Sequence, residues 1–159
     1  MDTVRTVYKV LAYVVAAEVV IQAMAMVYAV AGEGRWIMEG GVMDKAVIES
    51  REFVFPEVIG YAIHGINGMM VIPLLAILLL VFSFFAKVPG GVHWAGIVFL
   101  LVVVQATLGI GGHSIPFLGA LHGLNALLLF SAALYTGLRV RRLTATPVAE
   151  SPERIATRI

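Results

Sequence analysis

Apolar residues fill four stretches of this chain, approximately residues 10–31, 58–86, 93–112 and 116–140, and charged residues lie almost entirely between and beyond them. A hydrocarbon core about 30 Å thick needs roughly 20 mostly apolar residues per helix, so each stretch is predicted to cross a membrane. The links KVPGG and GGHSIPF are short and force neighbouring helices to run antiparallel. The expected fold class is therefore all-α, a polytopic up-down-up-down bundle of four transmembrane helices over residues 1–143. The second stretch would measure about 43 Å as a straight helix, so it has to tilt, protrude or bend, and Pro73 in its middle offers the break. The first stretch carries Glu18, is as long as a full span and shows no distinct cleavage pattern, which predicts a retained helix.

Between the first two spans, VMDKAVIESREFVF places Met43, Ala46, Val47, Phe53 and Val54 near helical spacing with charges opposite them. This predicts an amphipathic surface helix, acting either as a lid over the bundle end or as a connector. Residues 144–159, with two prolines and scattered charge, predict a disordered tail.

Composition agrees with the pattern: 60% of the residues are hydrophobic and the mean hydropathy is +0.96, outside the range of soluble domains. The absence of cysteine excludes disulfides, iron–sulfur clusters and thiolate ligands. Charge gives an orientation. Arg5 and Lys9 precede the first span, Lys87 joins the second and third, and Arg139, Arg141 and Arg142 close the fourth, whereas the 32–54 loop holds five acidic residues. The excess of Lys and Arg puts both termini in the cytoplasm, and the basic RVRR segment faces anionic lipid, so no nucleic-acid partner is expected.

Within this apolar frame HGIN at 64–67 and HGLN at 122–125 use two of the four histidines. Gln22 in VVIQAMA and Gln105 in VVVQATL echo one another in the first and third spans, so each helix pair delivers one glutamine and one histidine. A two-plus-two internal repeat would relate the second and fourth spans by a twofold axis through the bundle. His64 follows Pro56 by eight residues and His122 follows Pro116 by six, a depth mismatch of about 3 Å, so both rings can share a level. Facing imidazoles at one level are a ligand set for a low-spin b-type haem, with His64 and His122 on the iron. Asn67, Asn125, Gln22 and Gln105 are the expected polar contacts, the asparagines to a propionate or, through water, to an imidazole N–H. Gly60, Gly65, Gly68, Gly119 and Gly123 would let a flat macrocycle or a neighbouring helix approach. The competing reading is that the histidines bond across helices as polar glue. Zinc would want two further ligands at the same depth. Glu18, one turn before Gln22, is expected to be protonated and to donate to Gln22 or Gln105, as glue or in a proton path. His113 belongs to the outer loop, near a haem edge, and His93 to an interfacial pair with Trp94.

The segment VVVQATLGIGGHSIPFLGALHGLNALLLF resembles the haem A synthase family, in which a glutamine-and-glycine helix, a short loop and a helix with an axial histidine follow one another. The resemblance implies a four-helix half-bundle with ligands at His64 and His122. The whole chain is also similar to small four-helix membrane proteins of actinobacteria. It departs from the synthases in having one half-bundle, in lacking the outer-loop cysteines, and in placing Tyr61 and Gly65 where their second helix carries a glutamate and an arginine; Glu57 is the nearest carboxylate in sequence. The expectation is thus a haem scaffold for one-electron transfer or haem handling. A haem-modifying enzyme and a cofactor-free accessory subunit are the alternatives. Expected partners are membrane lipid, a quinone or membrane redox protein, and a second copy in a homodimer or larger complex.

Overall fold

The computed structural model describes residues 2–50 and 52–144, so all of the predicted disordered tail beyond Thr144 lies outside the described residues. Among them the regular structure is helical: α1 (Asp2–Met38), α2 (Lys45–Ser50), α3 (Ile59–Ile66), α4 (Ile72–Phe85), α5 (Gly91–Gly112) and α6 (Pro116–Thr144). A tight turn, Pro56–Val58, leads into α3, and a π-helical turn, Asn67–Val71, joins α3 to α4. Four helices are long and apolar enough to cross a membrane: Thr3–Met38, Pro56–Phe85, Gly91–Gly112 and Pro116–Val140. The protein is an all-α, multi-pass four-helix membrane bundle.

Two boundaries differ from the sequence pattern. The first helix continues beyond residue 31 to Met38, because its polar last turns find partners on the second span: Arg35 pairs with Glu57 at 2.9 Å, and the Tyr61 hydroxyl donates to Glu33. The amphipathic helix expected across 43–54 shrinks to α2, whose first turn is closed by the Asp44 carboxylate accepting the Val47 N–H at 2.9 Å. No residue of α2 is buried, so it is a connector and does not seat itself over the bundle.

Only 17–22% of each spanning window is buried, and side chains such as Val27, Leu74, Leu100 and Leu127 point outward. In a bilayer those positions meet lipid, which is as apolar as they are. The core is a narrow seam that repeats at four, three and four residues: Ile72, Ala76, Leu79 and Ser83 in α4; Gly91, Ala95, Val98 and Val102 in α5; Leu129, Ala133, Thr136 and Val140 in α6. Tyr8, Ala12 and Val15 begin the same pattern in α1. A shift of 83 residues carries the α1 seam onto that of α5, and a shift of 57 carries α4 onto α6. The two-plus-two repeat is therefore present in the packing register. Small residues let the helices approach closely, as at Gly60, where a Cβ would stand 2.3 Å from the Ala25 carbonyl oxygen.

The histidine motifs need a shift of 58, one more than the seam below them. Ile72 follows His64 by eight residues, whereas Leu129 follows His122 by seven. At about 100° per residue, one extra residue in a regular α-helix would swing His64 well off the seam. The π turn absorbs it: the Ile72 N–H bonds the Asn67 carbonyl, five residues back, and the turn ends where Pro73 can supply no N–H. The break predicted at Pro73 takes this form.

Around the bundle, α1 packs on α3, α4 and α6, and α5 packs on α4 and α6. The second and fourth spans consequently face one another across the diagonal, which aims their histidines at a common axis.

Candidate functional site

The rings of His64 and His122 meet across that diagonal with centroids 6.0 Å apart and planes inclined by 58°. Each is held by the helix that precedes it in its own half of the repeat. His64 Nδ1 lies 3.3 Å from the carbonyl oxygen of Gln22, and His122 Nδ1 lies 3.0 Å from that of Gln105. A carbonyl only accepts, so both Nδ1 atoms carry the proton and both Nε2 atoms keep a lone pair. This is the tautomer in which imidazole binds a metal through Nε2, and a backbone carbonyl behind the ring is a usual support for it. Gly109 completes the seat of His122: a Cβ there would press on its Cε1 and Nδ1 at 3.1 Å.

The glutamine side chains break the symmetry. Asn125 donates to the Leu101 carbonyl at 2.9 Å and to Gln105 Oε1 at 2.6 Å. The Gln105 carbonyl end is thereby used, and its Nε2 faces His122 Nε2 at 3.1 Å, donating into the lone pair. In the other half, both side-chain polar atoms of Gln22 are buried and without a partner among the described residues, beside Gly68. Asn67, the counterpart of Asn125, donates to Glu18 at 2.7 Å. The shift of 83 residues that maps Gln22 onto Gln105 maps Glu18 onto Leu101, so a carboxylate replaces a backbone carbonyl as the asparagine's acceptor.

Three expectations change as a result. The support for the rings comes from the glutamine backbones, and Asn67 and Asn125 brace neighbouring groups instead. Glu18 accepts from Asn67 rather than donating to Gln22 or Gln105, because the start of the π turn brings the Asn67 amide within 2.7 Å of it. Glu57 is no substitute acid for the histidine site, since Arg35 holds it. The rest fall where their spacing put them: His113 caps the exposed end of α5, and the His93 ring stands edge-on to Trp94 at 5.9 Å near the other end.

The carbonyl supports escape sequence reading because any residue supplies a carbonyl. The one available signal was the equal place of Gln22 and Gln105 above the shared seam. Among the described residues no group of three or more His, Cys, Asp or Glu side chains could enclose a metal ion. The donor set is thus two imidazole nitrogens, suited to a centre that brings its remaining ligands with it. Comparison with protein-family models, with curated proteins and with solved structures gives no match.

Proposed function

We propose that this chain is a b-type haem protein of the cell membrane, with His64 and His122 as the two axial ligands and both termini in the cytoplasm. The observation that carries the reading is the pair of facing rings, 6.0 Å apart, each fixed by a glutamine carbonyl as the Nδ1–H tautomer. Metal–nitrogen bonds of about 2 Å on either side of one iron, plus about 1.2 Å from nitrogen to ring centre, call for centroids roughly 6.4 Å apart. The observed separation is close to that value. Gly65, Gly119 and Gly123 have open space where a Cβ would stand, so no side chain at these positions crowds the helix faces next to the histidines. The unpartnered, buried Gln22 amide is a polar group in want of a ligand.

A haem with two nitrogen ligands supplies a reversible one-electron couple and no open position for substrate. The residues do the remainder. The Gln22 and Gln105 carbonyls orient the imidazoles and raise their basicity, and neutral rings avoid the cost of charge in lipid. The Gln105 amide occupies the His122 lone pair, so it has to turn aside before that nitrogen can ligate, which makes His122 the weaker-held of the two ligands. Electron transfer fits this site best, with a quinone or a membrane redox protein as partner and a second copy of the chain shielding the haem edge. Titrating haem into the detergent-purified chain tests it: one haem per chain with a low-spin spectrum is expected, and a colourless folded protein would leave the cofactor-free accessory reading, in which the Gln105–His122 bond is the purpose of the site.

One observation favours a second reading. Tyr61 stands where the haem A synthase resemblance implies a carboxylate, and Glu33 reaches its hydroxyl from α1. A carboxylate from another helix thus meets the side chain at that position, the feature a haem-modifying enzyme would build on. Pigment extracted from cells making the protein separates the two, since only an enzyme changes the porphyrin.

A further inference from the structure

At the end of the bundle that carries both described termini, a pocket of about 250 Å³ opens between Arg5, Lys87, Val88, Pro89 and Val140. Two lining residues bring positive charge to it, Arg5 from α1 and Lys87 from the link between α4 and α5, and Arg139 from α6 is held beside it on the carbonyl of Pro89, which also lines the pocket. The link is shaped for this convergence. Lys87 and Gly90 both take positive φ, 50° and 68°, and the missing Cβ of Gly90 makes room for the Arg139 guanidinium, whose Nη2 would otherwise lie 2.9 Å from it. Arg139 donates to the Pro89 carbonyl at 2.8 Å, and Arg5 Nη2 reaches the Lys87 carbonyl at 3.5 Å. Neither bond neutralises a charge. Arg5 Nε is buried and has no acceptor among the described residues.

Among the described residues the ion pairs are Arg35–Glu39, Arg35–Glu57 and Lys45–Glu49, at the opposite end. Every carboxylate with a described side chain lies within residues 18–57, so none is near this pocket. Two cations on the wall of a partly enclosed space, with a third held beside it on Pro89 and no described carboxylate to balance them, ask for an anion. The size and the place narrow the choice. About 250 Å³ is on the order of eight waters, room for a phosphate and the first atoms of its ester, and basic pockets between helices at this depth face lipid headgroups.

We infer that this pocket binds a phosphate group, supplied by the headgroup of an anionic phospholipid, with Arg5 and Lys87 on its wall and Arg139 beside it. The site is independent of the histidine pair, which lies near the other end of the helices.

Native mass spectrometry of the full chain in detergent tests it, with phosphatidylglycerol, phosphatidylcholine and inorganic phosphate as the added probes. One phosphatidylglycerol adduct should survive activation that strips phosphatidylcholine, and its apparent affinity should fall about tenfold in R5Q and by a smaller factor in K87Q, an exposed position whose change leaves the core intact. K45Q, at the opposite end of the bundle, is the control and should retain the adduct. Equal retention in the native chain and both pocket variants, or no preference for phosphatidylglycerol, overturns the inference. Inorganic phosphate that binds at millimolar concentration and displaces no lipid overturns the lipid source. An adduct absent from the native chain but present once D2N, E150Q and E153Q are introduced together assigns the pocket to the chain's own carboxylates, and the inference falls.

Discussion

A backbone carbonyl has no proton to give, and that fact decides the chemistry of both site histidines more firmly than any side chain does. With Nδ1–H committed to Gln22 and Gln105, what differs between the rings is the fate of Nε2: His122 shares it with the Gln105 amide. Replacing Gln105 with leucine removes that competitor. A neutral hydrogen bond contributes about 0.5–1.5 kcal/mol, so Q105L should bind haem roughly two- to tenfold more tightly in a titration followed by absorption. Weaker binding would mean that the amide holds the ring in place for the iron. Glu18 gives a second test. E18L leaves the Asn67 amide without its acceptor in a low-dielectric setting, and should cost about 1–3 kcal/mol of unfolding free energy in mixed-detergent denaturation. An unchanged midpoint would show that Asn67 finds another acceptor. At this scale the repeated HGxN motifs and the paired glutamines were plain in the sequence. Which atom of each glutamine mattered was not, because backbone acceptors leave no mark on residue identity.

The second span contains one residue more than the fourth between its histidine and its buried seam, and the π turn exists to take it up. Removing Met70, whose side chain is exposed, together with P73A, should therefore give a regular helix that keeps both His64 and Ile72 in register. Helicity and thermal stability in detergent should stay close to the native values. Removing Leu127 from α6 has no such slack to draw on: it rotates His122 against its own seam by about 100° and should abolish haem uptake. If the two deletions behave alike, the turn is not a register device. At Gly60 a methyl group would meet the Ala25 carbonyl at 2.3 Å, so G60A should destabilise the bundle by about 1–3 kcal/mol. The number of helices and the break near Pro73 were legible from apolar run lengths and one proline. The seam was hidden, because lipid-facing and core-facing positions are both apolar and no polar face marks which way a helix turns.

For the molecule as a whole, the structure is a repeated helix pair with paired histidines and glutamines at one level and, among the described residues, positive charge without a carboxylate partner at the end that carries the described termini. The excess of Lys and Arg at that end predicts a cytoplasmic location. A reporter active only outside the membrane should be silent when fused after Thr144 and active when inserted at Gly41, and the reverse pattern would invert the topology. The span count and the charge bias were readable because both depend on composition along the chain. The diagonal placement of the second and fourth spans required the packing order of all four. The central claim is that His64 and His122 share one iron. Electron paramagnetic resonance of the oxidised, haem-loaded protein tests it most directly. The native chain should give a low-spin signal of two imidazole ligands, and H64A and H122A should each lose it, passing to high-spin iron or to no bound haem. A low-spin signal that persists unchanged in either variant would contradict the account.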